Sequence, residues 1–374
     1  MKKTADIVIV GAGVIGLSTA LRLAQKGMQV LVVERREVGR EASWAGAGML
    51  PPGNLALAET PEARLRAYSH QLWADFAREL HELTGIDTGY SRCGAVELND
   101  PMNSDHLGDW RTQLRSEEIV FEDLNANQLG EFAPHLDSSF SEAVYLPNFG
   151  QIRNPRYLKA LQTACRLNQV QFLQHDHVTL HRSESGMVTV ESTESTIVAH
   201  TVCVAAGAWS RALLEKVGCP IPVHPVRGQI AQLRPVDVSF DHVIQIGRRY
   251  LVPRKDGLVL VGATEEFCGY SKQVTSAGIR GLLEFAEGIV PSLATAEVVR
   301  QWAGLRPGSA DELPFLGAVP NCENLYVATG HFRSGLQMSI GTAEIMCQLI
   351  TGQQPEICLA GLEVDRIPGE VCQA

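Results

Sequence analysis

Three glycines near the N-terminus have the spacing of a phosphate-binding turn. Gly11, Gly13 and Gly16 follow the apolar run 7–10 and precede residues with helical spacing. Such glycines let backbone N–H groups approach a pyrophosphate, and the dipole of the following helix favours its negative charge. Glu34, after the next apolar run, is placed to accept hydrogen bonds from a ribose. The pattern predicts a dinucleotide site and by itself leaves FAD and NAD open.

Further small-residue segments decide between the two cofactors. Small side chains let a loop lie flat against a planar ligand, and glycine lets the backbone turn tightly. A simple NAD-binding Rossmann domain has no need of such motifs near the end of the chain. A chain that begins and ends in cofactor-binding sequence is typical of FAD enzymes, so we predict FAD. The segments are residues 41–49, 203–210, 304–308 and 330–335.

Arg306 is a candidate for binding a small carboxylate. It lies in an otherwise apolar stretch, where a cation is costly unless a counter-ion neutralises it. A guanidinium recognises a carboxylate with two parallel hydrogen bonds, and the phenol of Tyr250 can add another. The alternative is a structural ion pair of Arg306 with Asp311 or Glu312.

Two residues of the C-terminal glycine turn have more than one possible role. Arg333 either binds substrate or positions its own loop or the flavin. His331 is either an acid–base catalyst or a turn residue packed beside the flavin.

The elements that must position these residues follow from the hydropathy pattern. Residues 7–10, 17–25 and 30–33 predict a strand, a helix and a second strand of a parallel β-α-β unit. The polar stretch 99–142 predicts helices, and segments between 230 and 263 predict consecutive antiparallel strands. Further strands are predicted at residues 93–98, 143–146, 170–173, 178–181, 187–191, 202–205 and 325–328, and helices at 59–84, 157–167, 276–289 and 340–350.

Composition excludes several classes of protein. With 374 residues, of which 45% are hydrophobic and 20% charged, the chain can bury a large core. Lys and Arg total 32 against 42 Asp and Glu, and a net charge of −10 argues against a nucleic-acid partner. Nine scattered cysteines without a C-x-x-C pair predict reduced thiols in a cytoplasmic protein without a metal site. Glycines and Arg22 interrupt the apolar run 7–24, so we predict no membrane segment.

Several motifs taken together resemble the D-amino-acid oxidase superfamily of flavoproteins, and within it the glycine oxidases most closely. They are spread over nearly the whole chain and are more specific than the dinucleotide fingerprint. They are ASWAGAGML at residues 42–50, RYLVPRKDG at 249–257, VGATEE at 261–266, WAGLRPGSADELPFLG at 302–317 and ATGHFRSG at 328–335.

The resemblance implies an α/β fold with two discontinuous domains. An FAD-binding Rossmann-like domain of the glutathione-reductase type would comprise residues 1–88, 151–221 and 301–374. A substrate-binding α+β domain built on an antiparallel sheet would comprise residues 89–150 and 222–300. The flavin would lie between the two domains.

The resemblance also implies roles for matching residues. The adenosine half of FAD would be held by the first turn, Glu34 and Arg35, and residue 178 would contact the adenine. Residues 42–49 would line the pyrophosphate and flavin. Residues 331–337 would pass beneath the isoalloxazine ring. The predicted substrate-binding residues are Tyr250, Arg306 and Arg333. The predicted cofactor-binding residues are Gly11, Gly13, Val14, Ile15, Gly16, Glu34, Arg35, Ala42, Ser43, Ala47, Gly48, Met49, Val178, Gly207, Gly330, His331, Phe332, Arg333, Ser334, Gly335, Leu336 and Gln337.

The implied activity is oxidative deamination of glycine, sarcosine and small D-amino acids. A hydride would pass from the substrate Cα to flavin N5 without a compulsory protein base, and oxygen would be reduced to hydrogen peroxide. The imine of glycine would serve thiazole synthesis for thiamine, and the resemblance implies a homotetramer. The alternatives are an FAD-dependent D-amino-acid dehydrogenase, a sarcosine or secondary-amine oxidase, and a non-enzymatic subunit that holds flavin.

Two departures from related enzymes refine these expectations. Some members of the superfamily tether FAD through a cysteine, but residues 309–316 contain none and Cys322 lies beyond them, so we predict non-covalent FAD. Charged residues near the expected substrate mouth either point inward, which would admit acidic substrates, or face solvent on a hairpin. These residues are Arg248, Arg249, Glu265 and Glu266.

Overall fold

Two large β-sheets organise the chain, and helices cover their faces. The computed structural model describes residues 2–100, 103, 105–174, 177–192, 196–236 and 240–366. Within these residues each large sheet contains eight strands, and a small sheet of three short strands accompanies them.

The first sheet has a parallel centre. Its strand Val30–Glu34 is buried on both faces, since every residue of that strand is buried. A hairpin adds antiparallel strands at one side, and a further antiparallel strand pairs with the last parallel one. The parallel strands, in spatial order, are Leu325–Thr329, Thr196–Val204, Lys2–Val10, Val30–Glu34 and Gln171–Gln174, and the antiparallel strands are Val178–Arg182, Val188–Ser192 and Phe315–Ala318.

Long helices cover one face of the first sheet and share a single apolar core with it. The longest is defined at both ends by local chemistry. The Thr60 hydroxyl accepts a hydrogen bond from the Ala63 amide, Pro61 occupies the first turn, and Gly85 ends the helix in the left-handed conformation. The helices of this layer are Val14–Gln25, Pro61–Thr84, Asn154–Leu167 and Ser339–Ile350.

The second sheet is antiparallel except at one pair. Val243–Ile246 runs parallel to Ala95–Leu98, which joins the two sequence segments that contribute to this sheet. The spatial order is Glu297–Gly308, His224–Arg234, Val259–Gly262, Arg249–Pro253, Val243–Ile246, Ala95–Leu98, Glu142–Leu146 and Glu122–Asn125.

Helices also cover the faces of the second sheet. Ser276–Ile289 and Ala126–Phe132 pack on one face, and His106–Ser116 packs on the other. The remaining short elements are the helices Ala42–Ala45, Leu55–Leu57, Gly207–Trp209, Ser210–Leu214, Glu215–Val217 and Pro291–Thr295, and the small-sheet strands Met49–Leu50, Gly150–Gln151 and Ser91–Arg92.

The main differences from the sequence predictions lie at the two edges of the second sheet. The polar stretch 99–142 was predicted to be helical, but it contains the edge strand Glu122–Asn125, in which only Leu124 is buried. Residues 101, 102 and 104 of that stretch lie outside the described residues. At the opposite edge, Glu297–Gly308 is a strand that the sequence pattern did not indicate.

The division into domains stays a prediction. The strand Glu297–Gly308 crosses its boundary at residue 301 and pairs along its length with His224–Arg234. In the described part of the chain, none of the helices combines the length and hydropathy that a bilayer crossing requires.

Candidate active site

A cavity of about 870 Å³ extends from the N-terminal glycine turn of the first sheet to strands of the second sheet. Gly16 and Gly330 do not line it. A Cβ atom at Gly16 would overlap the Gly11 carbonyl, and one at Gly330 would lie 3.0 Å from the Phe315 ring, so these glycines allow close packing of the walls. All the other residues predicted to bind substrate or cofactor line the cavity. They are Gly11, Gly13, Val14, Ile15, Glu34, Arg35, Ala42, Ser43, Ala47, Gly48, Met49, Val178, Gly207, Tyr250, Arg306, His331, Phe332, Arg333, Ser334, Gly335, Leu336 and Gln337.

The glycine turn forms a cradle of backbone groups. Gly11 has a φ of +110°, and a Cβ atom there would come within 2.5 Å of the Ala205 carbonyl oxygen. The helix after Gly13 begins at Val14, whose amide donates to the Ser43 hydroxyl at 2.9 Å. A helix N-terminus, a hydroxyl and a backbone free of side chains together fit a pyrophosphate.

Glu34 is buried at the end of its strand, and its carboxylate orders the turn. One oxygen accepts a hydrogen bond from the Ala12 amide at 2.9 Å, and the other accepts one from the Arg36 amide at 3.0 Å. A carboxylate oxygen can accept more than one hydrogen bond, so Glu34 can also receive ribose hydroxyls. The same side chain therefore fixes the glycine turn and faces the cavity.

The adenosine end contains residues that the sequence prediction did not name. The Arg35 guanidinium lies 3.6 Å from the centroid of the Trp209 ring, a cation–π arrangement in the cavity wall. Lys216 also lines this end. The signal for Trp209 was its place in the small-residue segment 203–210, whereas nothing in the local pattern indicated Lys216.

The loop 42–49 is held in place by polar side chains of other segments. The Arg254 guanidinium donates to the Ala47 carbonyl at 2.6 Å, and Asn154 donates to the Ser43 carbonyl at 2.8 Å. Burial, together with the nearby Arg153 charge, lowers the pKa of Arg254 to about 10, so it remains a cation at neutral pH.

The C-terminal glycine turn closes against the edge strand of the second sheet. The Phe332 amide donates to the Pro307 carbonyl at 2.9 Å, which places this turn directly beside Arg306. Residues 334–337 continue along the cavity wall to the helix that begins at Ser339. Segments far apart in the sequence therefore meet at one end of the cavity.

Arg306 and Tyr250 form the opposite wall, from two strands of the second sheet that are separated by two others. The Arg306 Nη1 atom donates to the Thr264 carbonyl at 3.1 Å. Burial raises the pKa of Tyr250, and the charges of Arg306 and Arg333 oppose that rise, so its hydroxyl stays protonated at neutral pH. No carboxylate of the described residues forms an ion pair with Arg306. Asp311 pairs with Arg366 instead, at 2.9 Å.

The arrangement combines a dinucleotide cradle with a cationic pocket at the far end of the same cavity. A model of the family described as "FAD dependent oxidoreductase" matches residues 6–349. The chain belongs to this FAD dependent oxidoreductase family. The residues of the cradle fit the cofactor that the family name specifies.

Relatives of this FAD dependent oxidoreductase cover nearly its full length. The chain is 34% identical to a glycine oxidase from Pseudomonas putida over 94% of this chain and 96% of the relative. It is 34% identical to the "Bifunctional protein ThiO/ThiG" from Synechocystis over 95% of this chain and 53% of that protein. The solved structure of glycine oxidase from Geobacillus kaustophilus superposes with a TM-score of 0.93 at 30% identity, covering 98% of this chain and all (100%) of the other. The family and the fold class predicted from the sequence are confirmed.

In this oxidoreductase Arg333 is not a free cation. Its Nη2 atom lies 2.8 Å from Glu265 Oε2, and 28% of its side chain is exposed. Arg248 pairs with the same carboxylate at 3.1 Å and with Glu312 at 2.9 Å. Arg248 lines the cavity mouth, so this side chain is neither wholly inward nor simply a solvent-facing hairpin charge.

The other charged residues of the predicted mouth lie apart from the cavity. Glu266 forms an ion pair with Arg227 and accepts a hydrogen bond from Gln229 at 2.6 Å. Burial raises the pKa of Glu266, but the hydrogen bonds from Arg227, Thr264 and Gln229 together with the Arg227 charge outweigh this effect and hold the pKa below its usual range. The exposed Arg249 lies over the Phe285 ring at 5.5 Å.

His331 is a buried residue of the C-terminal glycine turn and lines the cavity. Its Nε2 atom lies 3.0 Å from the Thr342 hydroxyl, and only 2% of the residue is exposed. Burial lowers the pKa of His331 to about 3, so the imidazole is neutral at physiological pH. The geometry favours a packing role for this histidine.

Proposed function

We propose that the chain is a glycine oxidase, an FAD-dependent enzyme that deaminates glycine and also accepts sarcosine and small D-amino acids. The observation that carries this proposal is the unneutralised guanidinium of Arg306 beside the Tyr250 hydroxyl. Arg35, Arg248 and Arg333, the other arginines lining the cavity in the described residues, all pair with carboxylates. The names of the similar glycine oxidases support the same substrate.

The overall reaction balances with oxygen as the terminal oxidant. Glycine loses two electrons and two protons when its Cα–N bond becomes an imine. Water hydrolyses the imine to glyoxylate and ammonia, and oxygen takes up the two electrons and two protons as hydrogen peroxide. FAD, when bound, supplies the acceptor for the hydride that leaves Cα.

The chain's own residues bind and orient the substrate. The Arg306 guanidinium holds the carboxylate, and the protonated Tyr250 hydroxyl donates a further hydrogen bond to it. Because the carboxylate is held at two points, the Cα–H bond has a fixed orientation. Binding energy is thus used to hold the reacting bond in the geometry that the reaction needs. The glycine turn, Glu34, Arg35 and the loop 42–49 hold the cofactor.

A protein base is not required by this arrangement. The substrate amine must be neutral, because its lone pair forms the new C–N π bond. His331 is buried against Thr342 and neutral, so it neither supplies nor stores a proton at physiological pH. The positive charge of Arg306 also favours loss of the ammonium proton from a bound substrate.

The cofactor is held without a covalent bond in this proposal. No cysteine of the described residues lines the cavity. Cys322 is buried in the core on one face of the first sheet, where it packs among apolar side chains. Denaturation with acid or heat should therefore release all of the flavin into the supernatant.

Two further expectations concern the setting of the enzyme. Supply of the glycine imine to thiazole synthesis is part of the proposal, and the name of the Synechocystis relative supports it. The homotetramer and the cytoplasmic location stay predictions from the sequence.

An anaerobic absorption experiment tests the activity. Glycine, added to the purified holoprotein without oxygen, should bleach the flavin absorbance, and admitting air should restore it with release of hydrogen peroxide. Sarcosine and D-alanine should act in the same way. Reduction without reoxidation by air would instead identify a dehydrogenase, and failure of all three substrates to reduce the flavin would overturn the proposal.

A substitution separates substrate binding from cofactor binding. Arg306→Ala should raise KM for glycine by about 100-fold, because a buried charge pair is worth roughly 2–5 kcal/mol. The flavin should remain bound. Arg249→Ala, at an exposed arginine on the strand that carries Tyr250, is the matched control and should leave KM unchanged. An unaltered KM in Arg306→Ala would remove the carboxylate role.

A further inference from the structure

Two of the arginines at the cavity mouth share one glutamate. Glu265 Oε2 accepts hydrogen bonds from Arg333 Nη2 at 2.8 Å and Nε at 3.1 Å, and Glu265 Oε1 accepts one from Arg248 at 3.1 Å. Arg248 and Arg333 line the cavity, whereas Glu265 is not among the residues that line it. Glu265 therefore lies outside the cavity lining and fixes both guanidinium groups through hydrogen bonds.

The charged side chains at this end of the cavity have a net charge of +1. Arg248, Arg306 and Arg333 contribute three positive charges, and Glu265 and Glu312 contribute two negative ones. Burial lowers the pKa of Arg333, and the charges of Arg248 and Arg306 lower it further, while Glu265 opposes this effect. The remaining positive charge is that of Arg306, which one carboxylate of a substrate neutralises.

We propose that Glu265 is a positioning residue that restricts the site to substrates with a single carboxylate, an inference that rests on the proposed glycine oxidase activity. A second carboxylate must displace Glu265 from Arg333 or Arg248 before it can bind either guanidinium. That exchange replaces one charge-assisted hydrogen bond with another, so a dianion gains little from its second charge. D-Aspartate and N-(carboxymethyl)glycine are accordingly poor substrates.

Glu265→Gln tests the proposal because the amide keeps the size of the side chain and removes its charge. The variant should bind malonate about tenfold more tightly relative to acetate than the unaltered protein does, since the second carboxylate no longer competes with a charged Glu265 for the guanidinium hydrogen bonds. Dissociation constants of the two ligands are measured on the oxidised holoprotein by calorimetry, without turnover. The kcat/KM ratio of N-(carboxymethyl)glycine to glycine should rise similarly, through KM rather than kcat.

Two variants isolate the effect of Glu265 from a change in net charge. Glu312→Gln removes the same charge from the mouth but leaves Glu265 paired with Arg333 and Arg248, so its malonate preference should change much less. Glu265→Asp retains the charge and should keep the preference for acetate. An equal change in Glu265→Gln and Glu312→Gln would overturn the proposal, as would no change in Glu265→Gln.

The inference and the proposed activity fail in different ways. If glycine reduces the flavin but Glu265→Gln gains no preference for malonate, the role of Glu265 is wrong and the activity stands. If the malonate preference appears but glycine does not reduce the flavin of the unaltered protein, the glycine oxidase proposal is wrong. Glu265 is 27% exposed, so Glu265→Gln and Glu265→Asp should fold normally, and their melting temperatures, compared with that of the unaltered protein, check this.

Discussion

The Arg306 guanidinium lies against the backbone of Gly228, on the neighbouring strand of the second sheet. Arg306 pairs with Val226 in the register of the two strands, and Gly228 lies two residues further on the same face. A Cβ atom on residue 228 would overlap the guanidinium. The missing side chain thus gives the cation its place in the cavity wall, where it still donates to the Thr264 carbonyl.

Gly228→Ala should displace Arg306 and weaken substrate binding. We expect KM for glycine to rise by about tenfold or more, because misplacing a substrate-positioning group by about 1 Å costs up to 100-fold. Flavin content should not change. Gly281→Ala is the control, since no neighbouring atom lies within 4 Å of a Cβ there. Steady-state kinetics with glycine would count against this relationship if both variants matched the unaltered protein.

Gly11→Ala should abolish cofactor retention. The left-handed φ of +110° and the Ala205 carbonyl 2.5 Å from a new Cβ atom would force the turn to open. The ratio of flavin to protein absorbance after gel filtration measures the loss. Gly27→Ala matches the unfavourable conformation, with a φ of +85°, but meets no atom within 4 Å. That variant should lose stability and keep its flavin.

Local sequence patterns predicted those parts of the fold that have a regular spacing of glycines or of apolar residues. The glycine turn and the strands beside it were predicted because a buried parallel strand is a continuous apolar run. The strand Glu297–Gly308 was missed because Gly304, Pro307 and Gly308 are residues that a strand interior normally excludes. Its position at the edge of the sheet explains the exception, since an edge strand leaves one side without a hydrogen-bonding partner.

The candidate site was predicted as a set of residues but not as an arrangement. Arg306, Arg333 and Tyr250 were named from the sequence, and the structure brings all three to one cavity. The pairing of Arg333 and Arg248 with Glu265 joins loops that are distant in the sequence. Short-range patterns contain no information on such pairs, because which charges meet depends on how the sheet edges and turns pack.

Arg254→Met should loosen the loop that contacts the cofactor. The guanidinium donates to the carbonyls of Ala47 and Ile152, at 2.6 and 3.2 Å, and methionine cannot replace either hydrogen bond. We expect the FAD dissociation constant to rise by about tenfold, since each such bond to a charged donor contributes roughly 1.5 kcal/mol. Titration of the apoprotein with FAD measures it. Arg249→Met changes an exposed arginine at the start of the strand that ends just before Arg254, and this variant should bind FAD normally.

His331 should make the folded protein sensitive to mild acid. Burial lowers its pKa to about 3 in the folded state, whereas an unfolded histidine has a pKa of about 6.5. A depressed folded-state pKa means that the unfolded chain takes up the proton first. The stability contributed by the neutral imidazole is therefore fully present above pH ~6.5 and is lost progressively as the pH falls toward about 3.

Urea unfolding of the holoprotein at pH 7 and pH 5, at one FAD concentration, measures this loss. Between these pH values the unaltered protein should lose about 2 kcal/mol relative to His331→Gln, because each unit of pKa difference corresponds to about 1.4 kcal/mol. Thr342→Val removes the hydroxyl beside Nε2 but leaves the histidine buried, so its destabilisation should be the same at both pH values. If the free energy of unfolding changed by the same amount between pH 7 and pH 5 in the unaltered protein and in His331→Gln, the pKa of His331 would be the same in the folded and unfolded states. That result would contradict the prediction.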